Sequence, residues 1–535
     1  MEPPHPLLGK TTRALAVMAV ALAVPYASPS LRRLRVAEVP WDRSSDATDA
    51  TDATRGVAPK EAAPTVGEAT LHASENAGGV TNALPDTPAE EPELDPQILA
   101  RTAGSLAIED PTGHAMDAFY TQLARTEACH GKAGDDAGAP RDEGLGAGGA
   151  LAAGSADPAG GGADRAADAS AREDDCRSAV TRVLHYGDSV ITSDLVSGTL
   201  RRQMQSRFGD AGHGFILAAN AWEWYFHNDV AHTASDAWAM SRITGPLSGD
   251  GIYGLGGVSF HTADVASAWF STASKGDYGR RVSRFDIYYE EQPAGGDVDV
   301  IVPGRPAEIF STRGGKKASR VRSVAVADGP AQMTIRTRGS GDVRLFGVAL
   351  ERDVPGVVYD ALGANGARAR LWSSMSVEHW TEQMALRKPS LIVLQYGTNE
   401  SEEGKVVPEV YTRQLGDLVD KVRRAAPDAS VLVAAPLDRA ERGDGGKMRT
   451  RAIIPQLVDL QRQTAAAHGA AFWNTYEAMG GEGSFARWVK AEPQLASWDL
   501  THPTPAGAEV IGDLFFKALT TGLSAFQSRG PHATK

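Results

Sequence analysis

Four short motifs hold the residue types best suited to chemistry in this chain. In chain order they are Gly187-Asp188-Ser189, Gly363-Ala364-Asn365-Gly366, Gly397-Thr398-Asn399-Glu400 and Asp499-Leu500-Thr501-His502. A serine hydroxyl is almost wholly protonated at neutral pH, so it attacks an ester only when a histidine accepts its proton and a carboxylate orients that histidine. Ser189, His502 and Asp499 fit these three roles, and we predict that they form a catalytic triad.

The second and third motifs offer donors for the negative oxygen that forms on an attacked carbonyl. Backbone N–H groups at glycines and one side-chain amide are the usual donors. Asn399 is the candidate amide, with a turn-forming asparagine as the alternative. Gly363 and Gly366 both lie in the second motif as candidate backbone donors. The two cysteines are far apart and form no Cys-x-x-Cys pair, so their spacing does not suggest a metal site. A triad reaction of this kind implies neither a metal nor an organic cofactor.

An α/β fold would bring these motifs together. Apolar residues of 180–186 predict a buried strand that ends at Gly187, and apolar residues at every fourth position of 196–208 predict a helix after Ser189. Ser189 then lies at the carboxyl end of a strand, where open α/β sheets form their ligand crevice. Further strands are expected at 391–394, 431–434 and 471–473, alternating with helices at about 408–425, 451–468 and 504–519. The pattern predicts a three-layer, flavodoxin-like core with a mostly parallel sheet.

The region 228–350 breaks this alternation. Its apolar residues alternate with polar ones in short runs separated by turns, which predicts a β-sandwich inserted into the α/β fold. We expect it to supply polymer binding through surface aromatics such as Trp238 or Tyr288. The alternative is an insertion without affinity for any ligand.

Taken in order, the four motifs resemble the conserved blocks of the SGNH, or GDSL, hydrolase superfamily of esterases and acyl-transfer enzymes. The resemblance covers about 177–522 and favours Gly366 over Gly363, so the implied oxyanion hole consists of Ser189, Gly366 and Asn399. The run Arg207-Phe208-Gly209-Asp210-Ala211-Gly212-His213-Gly214-Phe215 is similar to bacterial cell-envelope members that remove or transfer acetyl groups on peptidoglycan. By resemblance to those relatives, the inserted region 228–350 looks like a jelly roll similar to a carbohydrate-binding module.

The first third of the chain has a different composition. Lys10 and Arg13 precede an apolar run, which predicts a secretory signal peptide or an uncleaved membrane anchor. Cys129 and Cys176 bracket a Gly/Ala/Asp-rich tract; in an oxidising compartment they either pair or remain free thiols.

The expected organisation of the whole chain is as follows: 1–36 signal or anchor; 37–96 disordered linker; 97–129 helical segment packed on the core; 130–175 low-complexity insertion; 176–227 first part of the catalytic domain; 228–350 β-sandwich; 351–522 second part of the catalytic domain; 523–535 disordered tail.

The net charge of the chain limits the classes of partner that it can bind. The formal net charge of −13 argues against a nucleic-acid binder, which needs a basic face, whereas a largely uncharged glycan imposes no such demand. We therefore expect an exported, cell-envelope or periplasmic serine esterase that removes O-acetyl groups from a polysaccharide, with peptidoglycan favoured, and that is tethered to the membrane if the N-terminal segment is retained. The alternatives are an O-acetyltransferase with the same triad and a non-catalytic wall-glycan-binding protein.

Overall fold

The computed structural model describes residues 107–138, 176–223 and 225–529. The expected signal or anchor, the linker and most of the low-complexity insertion lie outside these residues. The strands are β1 Val180–Gly187, β2 Gly214–Leu217, β3 Val230–Ala234, β4 Ala239–Arg242, β5 Val258–Thr262, β6 Ser267–Thr272, β7 Val282–Glu291, β8 Asp297–Ile301, β9 Glu308–Ser311, β10 Ala318–Gly329, β11 Gln332–Thr337, β12 Val343–Glu351, β13 Gly356–Gly363, β14 Leu391–Gln395, β15 Ser430–Ala434, β16 Ala440–Arg442, β17 Met448–Thr450 and β18 Ala471–Trp473.

The α-helices alternate with strands in the second half of the chain. They are α1 Asp117–Gly138, α2 Ser189–Thr192, α3 Leu195–Phe208, α4 Val377–Arg387, α5 Pro408–Ala425, α6 Ile453–Ala467, α7 Thr475–Ala478, α8 Ser484–Val489 and α9 Pro505–Ser528. Since α9 runs to Ser528, the expected disordered tail from 523 is wrong for its first six residues. Among the described helices, none is long and apolar enough to cross a bilayer.

A five-stranded sheet forms the centre of the α/β part. Its order is β13-β1-β14-β15-β18 and all its pairs are parallel. This is the 2-1-3-4-5 order of the flavodoxin-like fold, so the predicted α/β class is confirmed. The strands are mainly apolar because both faces are covered: Leu184 and Tyr186 of β1 enter one hydrophobic core, and Val183 enters the other.

Helix α1 lies against the second of these cores. Phe119 and Leu123 are fully buried and pack with residues of β1, α3 and α9. A disulfide between Cys129 and Cys176 joins this helix to the chain just before β1, with 47 residues of sequence separation. Closing a loop of that length removes about 4 kcal/mol of chain entropy from the unfolded state in the simplest model. The helix continues through residue 138, so the expected boundary of the helical segment at 129 is too early.

Two antiparallel sheets make up the β region. One has the order β10-β7-β12-β5-β4, with β2 paired to β12, and the other has the order β3-β6-β11-β8-β9. Inward residues of both sheets, such as Phe260 and Phe270, share one hydrophobic core, as expected of a sandwich. The boundary expected at 228 is corrected, because β2 precedes it and already belongs to this region.

The six-stranded sheet is also covered on its second face by the α/β core, where the Phe346 ring of β12 lies against the His379 ring of α4 with centroids 5.1 Å apart. Within the sheet, Tyr288 contacts Phe215 of β2 with ring centroids 5.4 Å apart, and Tyr288 is only 2% exposed. Trp238 is 5% exposed, with its indole N–H donated to the Ser267 carbonyl. The expectation that Trp238 and Tyr288 are surface aromatics is therefore wrong, since both are core residues.

Buried ion pairs join the β region to the α/β core. Glu351 of β12 accepts hydrogen bonds from Arg182 of β1 at 2.8 Å and from Arg387 of α4. Arg387 also holds Asp360 of β13 through two bonds of 2.6 and 2.7 Å. Although burial opposes it, the arginines hold the pKa of Glu351 below its usual range. The network fixes the β region against the two strands that carry the first two motifs.

Candidate active site

The structure brings Ser189, His502 and Asp499 together in one hydrogen-bonded chain. Ser189 Oγ lies 2.8 Å from His502 Nε2, and His502 Nδ1 lies 2.7 Å from Asp499 Oδ2. A proton on Nδ1 is held by the carboxylate, which leaves Nε2 free to accept the serine proton. The three residues come from two segments more than 300 positions apart in sequence.

Ser189 owes its position to close packing at the end of β1. It is the first residue of α2, and Asp188 caps that helix by accepting the Val190 N–H at 3.1 Å. Gly187 pairs with Gly363 of β13, and both lie against α2: a Cβ on Gly187 would be 2.5 Å from Ile191, and one on Gly363 would be 2.2 Å from the Thr192 nitrogen. These two glycines therefore let α2 sit directly on the strand ends.

The loop before α9 shapes the other half of the triad. Asp499 Oδ1 accepts the backbone N–H groups of Thr501 and His502 at 2.8 and 2.9 Å, which turns the chain so that Oδ2 faces the imidazole. Leu500, which follows Asp499, has a φ of 63°. This lies in the left-handed region, which a branched residue adopts only when its surroundings impose it. The loop ends at Thr504, which caps α9 through the Gly507 N–H.

Electrostatics match a base and its orienting carboxylate. The hydrogen bond to Asp499 raises the pKa of His502 above its usual value. Burial acts to raise the pKa of Asp499, but hydrogen bonds from His502 and from the loop backbone outweigh it and lower that pKa to about 2. The two side chains are 41% and 47% exposed, so the triad opens directly to solvent.

The expected oxyanion donors lie on the loops that follow the two strands flanking β1. Gly187 of β1 is level with Gly363 of β13 and with Gln395 of β14, so both loops start at the same sheet edge as Ser189. Gly366 is exposed with a φ of 76°. The Asn399 amide donates one hydrogen bond to the Ala367 carbonyl at 2.9 Å, which joins the two loops. Their donor roles stay predictions.

Two side chains at this edge were assigned no role from sequence. Arg439 spans the site: Nε donates to Thr501 Oγ1 at 3.0 Å, and Nη1 donates to the Thr398 carbonyl at 2.9 Å. Glu400 is buried and accepts two backbone N–H groups. Glu400 follows Asn399 directly and could have been noticed as a carboxylate within an apolar strand–loop motif, whereas Arg439 belongs to no motif.

Comparisons with known proteins identify a family for part of the chain. Residues 327–510 match the family model of the GDSL-like lipase/acylhydrolase family, a span that contains Gly366, Asn399, Asp499 and His502 but not Ser189. No curated protein sequence matches the chain significantly.

One solved structure shares the fold, and two others are weakly similar. One described as a peptidoglycan O-acetylesterase is 22% identical with a TM-score of 0.55, and the match covers 65% of this chain and 92% of that one. A family two carbohydrate esterase from Clostridium thermocellum is 12% identical with a TM-score of 0.24, covering 49% and 93%. Another from Cellvibrio japonicus is 10% identical with a TM-score of 0.23, covering 55% and 99%.

The family match and the fold lead to one conclusion. In sequence, the β region separates β1 and the serine that follows it from the strands that precede the other motifs, and this explains why the family match begins after Ser189. The chain contains a GDSL-like lipase/acylhydrolase domain of the SGNH superfamily and is a carboxylic ester hydrolase.

Proposed function

We propose that this esterase is exported to the cell envelope and removes O-acetyl groups from a polysaccharide there, with peptidoglycan as the favoured substrate. The observation that carries the proposal is the continuous hydrogen-bonded chain from Asp499 through His502 to Ser189. The solvent exposure of His502 and Asp499 supports a bulky, polymeric leaving group. The peptidoglycan O-acetylesterase of the same fold supports the choice of glycan.

The proposed reaction has two halves. Ser189 Oγ bonds to the acetyl carbonyl carbon while His502 Nε2 takes the hydroxyl proton, and the carbonyl oxygen becomes negative beside the donors at Ser189, Gly366 and Asn399. The sugar oxygen then leaves with the proton from His502, and the acetyl group stays on Ser189. A water molecule gives a proton to His502 and attacks this ester, which releases acetate and restores the serine hydroxyl.

Two alternatives use the same site differently. In an acetyltransferase, a sugar hydroxyl replaces water in the second half, and the triad geometry is equal for both acceptors. A non-catalytic glycan-binding protein is disfavoured because a protein released from catalysis has no reason to retain the three hydrogen-bonding partners in line.

One assay separates these functions. Purified protein is incubated with O-acetylated peptidoglycan and, in parallel, with acetylated xylan, and free acetate is measured with and without an added acceptor sugar. We expect acetate from peptidoglycan, and none from the matched Ser189→Ala variant. Acetate from xylan alone would overturn the favoured glycan. Transfer to the acceptor without release of acetate would establish the transferase instead.

We further propose that the β region binds the polymer chain, at a cleft on its five-stranded sheet rather than at the residues expected from sequence. The cleft has a volume of about 430 Å³. Its lining comprises Ser271, Thr272, Ala273, Ser274, Arg280, Val302, Pro303, Pro330, Ala331 and Gln332. Hydroxyl, amide and guanidinium groups are suitable partners for sugar hydroxyls.

An aromatic residue borders this cleft. Trp269 lies two residues before Ser271 on β6, so both side chains project from the same face of the strand. Its indole Nε1 donates to Gln332 Oε1 at 3.1 Å, and the side chain is half-buried. A ring fixed in this way can stack on a sugar face at little entropic cost. Co-sedimentation with insoluble wall glycan tests the proposal: Trp269→Ala should lose binding, and retention of full binding would remove it.

A further inference from the structure

The two loops that carry the expected oxyanion donors are separate segments. One follows β13 and contains Gly366, and the other follows β14 and contains Asn399. Donors stabilise a developing negative charge only when they are already aimed at one point, within about 0.5 Å of the productive geometry. The site therefore needs a contact that fixes one loop against the other.

Glu400 makes such a contact with both carboxylate oxygens. Oε1 accepts the N–H of Ala369, three residues after Gly366, at 2.9 Å. Oε2 accepts the N–H of Gly397, two residues before Asn399, at 3.0 Å. One side chain thus holds the backbone of both loops, and each bond lies within three residues of an expected donor.

The other side-chain contacts between the loops come from Asn399 and Arg368. The Asn399 amide donates to the Ala367 carbonyl at 2.9 Å. Arg368 Nε donates to the Asn399 carbonyl at 3.2 Å, and its Nη1 lies 3.2 Å from Glu403 Oε1. The first of these uses the very amide that is expected to serve the oxyanion, so it cannot hold that amide independently. Arg368 and Glu400 both leave the donor groups free, and of the two only Glu400 is buried and accepts backbone N–H groups from both loops.

Burial of the Glu400 carboxylate is unfavourable in free energy because it removes the group from water. Glu400 is only 8% exposed. Among the ion pairs of the described residues, none includes Glu400. Burial, with the neighbouring Asp188 carboxyl adding to it, raises the pKa of Glu400 to about 7. A neutral or apolar residue would fill the same space without desolvating a carboxylate. The presence of an acid here is explained by the two N–H groups that it accepts.

We propose that Glu400 is a positioning residue that locks the Gly366 and Asn399 loops into the geometry required for oxyanion stabilisation. The inference rests on the proposed acyl-transfer reaction at Ser189. It assigns Glu400 no contact with substrate and no proton transfer. Its effect is expected on the transition state, because the ground-state carbonyl gains little from donors that a charged oxygen needs.

The test compares Glu400→Gln with Glu409→Gln, the same change at an exposed position on the first turn of α5. Glutamine has the length of glutamate but places an NH₂ group against one of the two N–H donors. With a small acetate ester, Glu400→Gln should lower kcat about 10-fold to 100-fold, less than the 10²–10³ of deleting a donor, and leave KM within about twofold. Glu409→Gln should match the wild type.

A second readout separates positioning from a loss of structure. Phenylboronic acid forms a tetrahedral adduct on an activated serine, with one oxygen in the oxyanion hole, so its affinity should fall in proportion to kcat in Glu400→Gln. Glu400→Asp serves as a second variant if Glu400→Gln does not fold. Aspartate retains the charge but is too short to reach both loops, so this variant should also show lower kcat and weaker phenylboronic acid binding with KM nearly unchanged. Wild-type kcat in either folded variant, or a change confined to KM, would overturn the inference. A wild-type protein without esterase activity would instead refute the proposed function itself.

Discussion

The parallel-sheet core and the two-sheet β region arrange their polar residues in opposite ways. In the core, β13, β1 and β14 end level with one another, so the loops of three distant segments start at the same sheet edge as Ser189. In the β region, the cleft near Trp269 is lined by groups of adjacent antiparallel strands and turns, with Arg280 as its one charged residue. The first arrangement suits bond breaking, and the second suits holding a chain without reacting with it.

This difference has a measurable consequence. If the core holds all of the chemistry, changes there should reduce activity on every acetate ester, whatever its size. If the β region only holds polymer, changes there should spare a small ester. A suitable pair of substrates is 4-nitrophenyl acetate, which is small, and insoluble O-acetylated wall glycan.

Removal of the nucleophile should have the largest effect. Ser189→Ala is expected to lower kcat/KM on both substrates by at least about 10³-fold, since loss of a triad nucleophile usually costs several orders of magnitude. The fold should persist, because a single half-buried hydroxyl contributes little to packing. A folded variant that keeps more than about one per cent of activity would remove Ser189 from its role.

Asp499→Asn should follow, with a distinctive pH profile. In the native protein the hydrogen bond to Asp499 raises the pKa of His502, and His502 must be neutral to accept a proton. Activity should therefore be lost at acid pH and rise with pH through that raised pKa. The variant should lose about 10³-fold or more in kcat, and the rise of its residual activity should shift to lower pH because the carboxylate no longer favours the imidazolium. An unshifted profile would contradict the role of Asp499.

Asn399→Ala should have a graded effect that is equal on the two substrates. Loss of one oxyanion donor should lower kcat by about 10²–10³-fold and leave KM nearly unchanged. Weakened binding with normal turnover would mean that Asn399 contacts the ground-state substrate. Circular dichroism and thermal melting should accompany the kinetics, because the amide also joins two loops through Ala367.

The smallest effect is expected from the β region, and it is the one that discriminates. Trp269→Ala should lower the rate on insoluble glycan about 10-fold, in line with the loss of one stacking contact of 1–2 kcal/mol, and leave 4-nitrophenyl acetate hydrolysis unchanged. Val265→Ala is the control. Val265 is an exposed apolar residue just before the start of β6, away from the cleft, and its substitution should change neither rate. Equal loss on both substrates would mean that the region merely braces the core.

Much of the fold and the triad could be predicted from sequence for a physical reason. A parallel strand buried on both faces is a continuous apolar run, as at Leu391–Gln395, and its carboxyl end must lie beside its neighbours' ends. Short motifs placed there meet in space even when more than 300 residues separate them. The predicted helix at 408–425 coincides with α5 because Pro408 starts it and its apolar spacing is regular.

The remainder depended on tertiary contacts that no local pattern records. Alternation in β7 indicates which side chains share a face but not that both faces are covered, and so Tyr288 was misplaced. β2 joins the β region only because it pairs with β12, more than 120 residues later. Glu400 and Arg439 are polar residues whose roles come from loops brought near by the sheet.

The central claim is that Ser189 takes the acetyl group from the substrate as a covalent ester. That ester then passes the acetyl group to water or to an acceptor hydroxyl. The most direct measurement is mass spectrometry of the acid-quenched enzyme during turnover of 4-nitrophenyl acetate, with Asn399→Ala and Ser189→Ala in parallel. We predict that one acetyl group is found on the peptide containing Ser189, in the wild type and in Asn399→Ala, and that it is absent from Ser189→Ala. Acetate release with no acetylated Ser189 peptide, or equal acetylation of Ser189→Ala, would contradict the account.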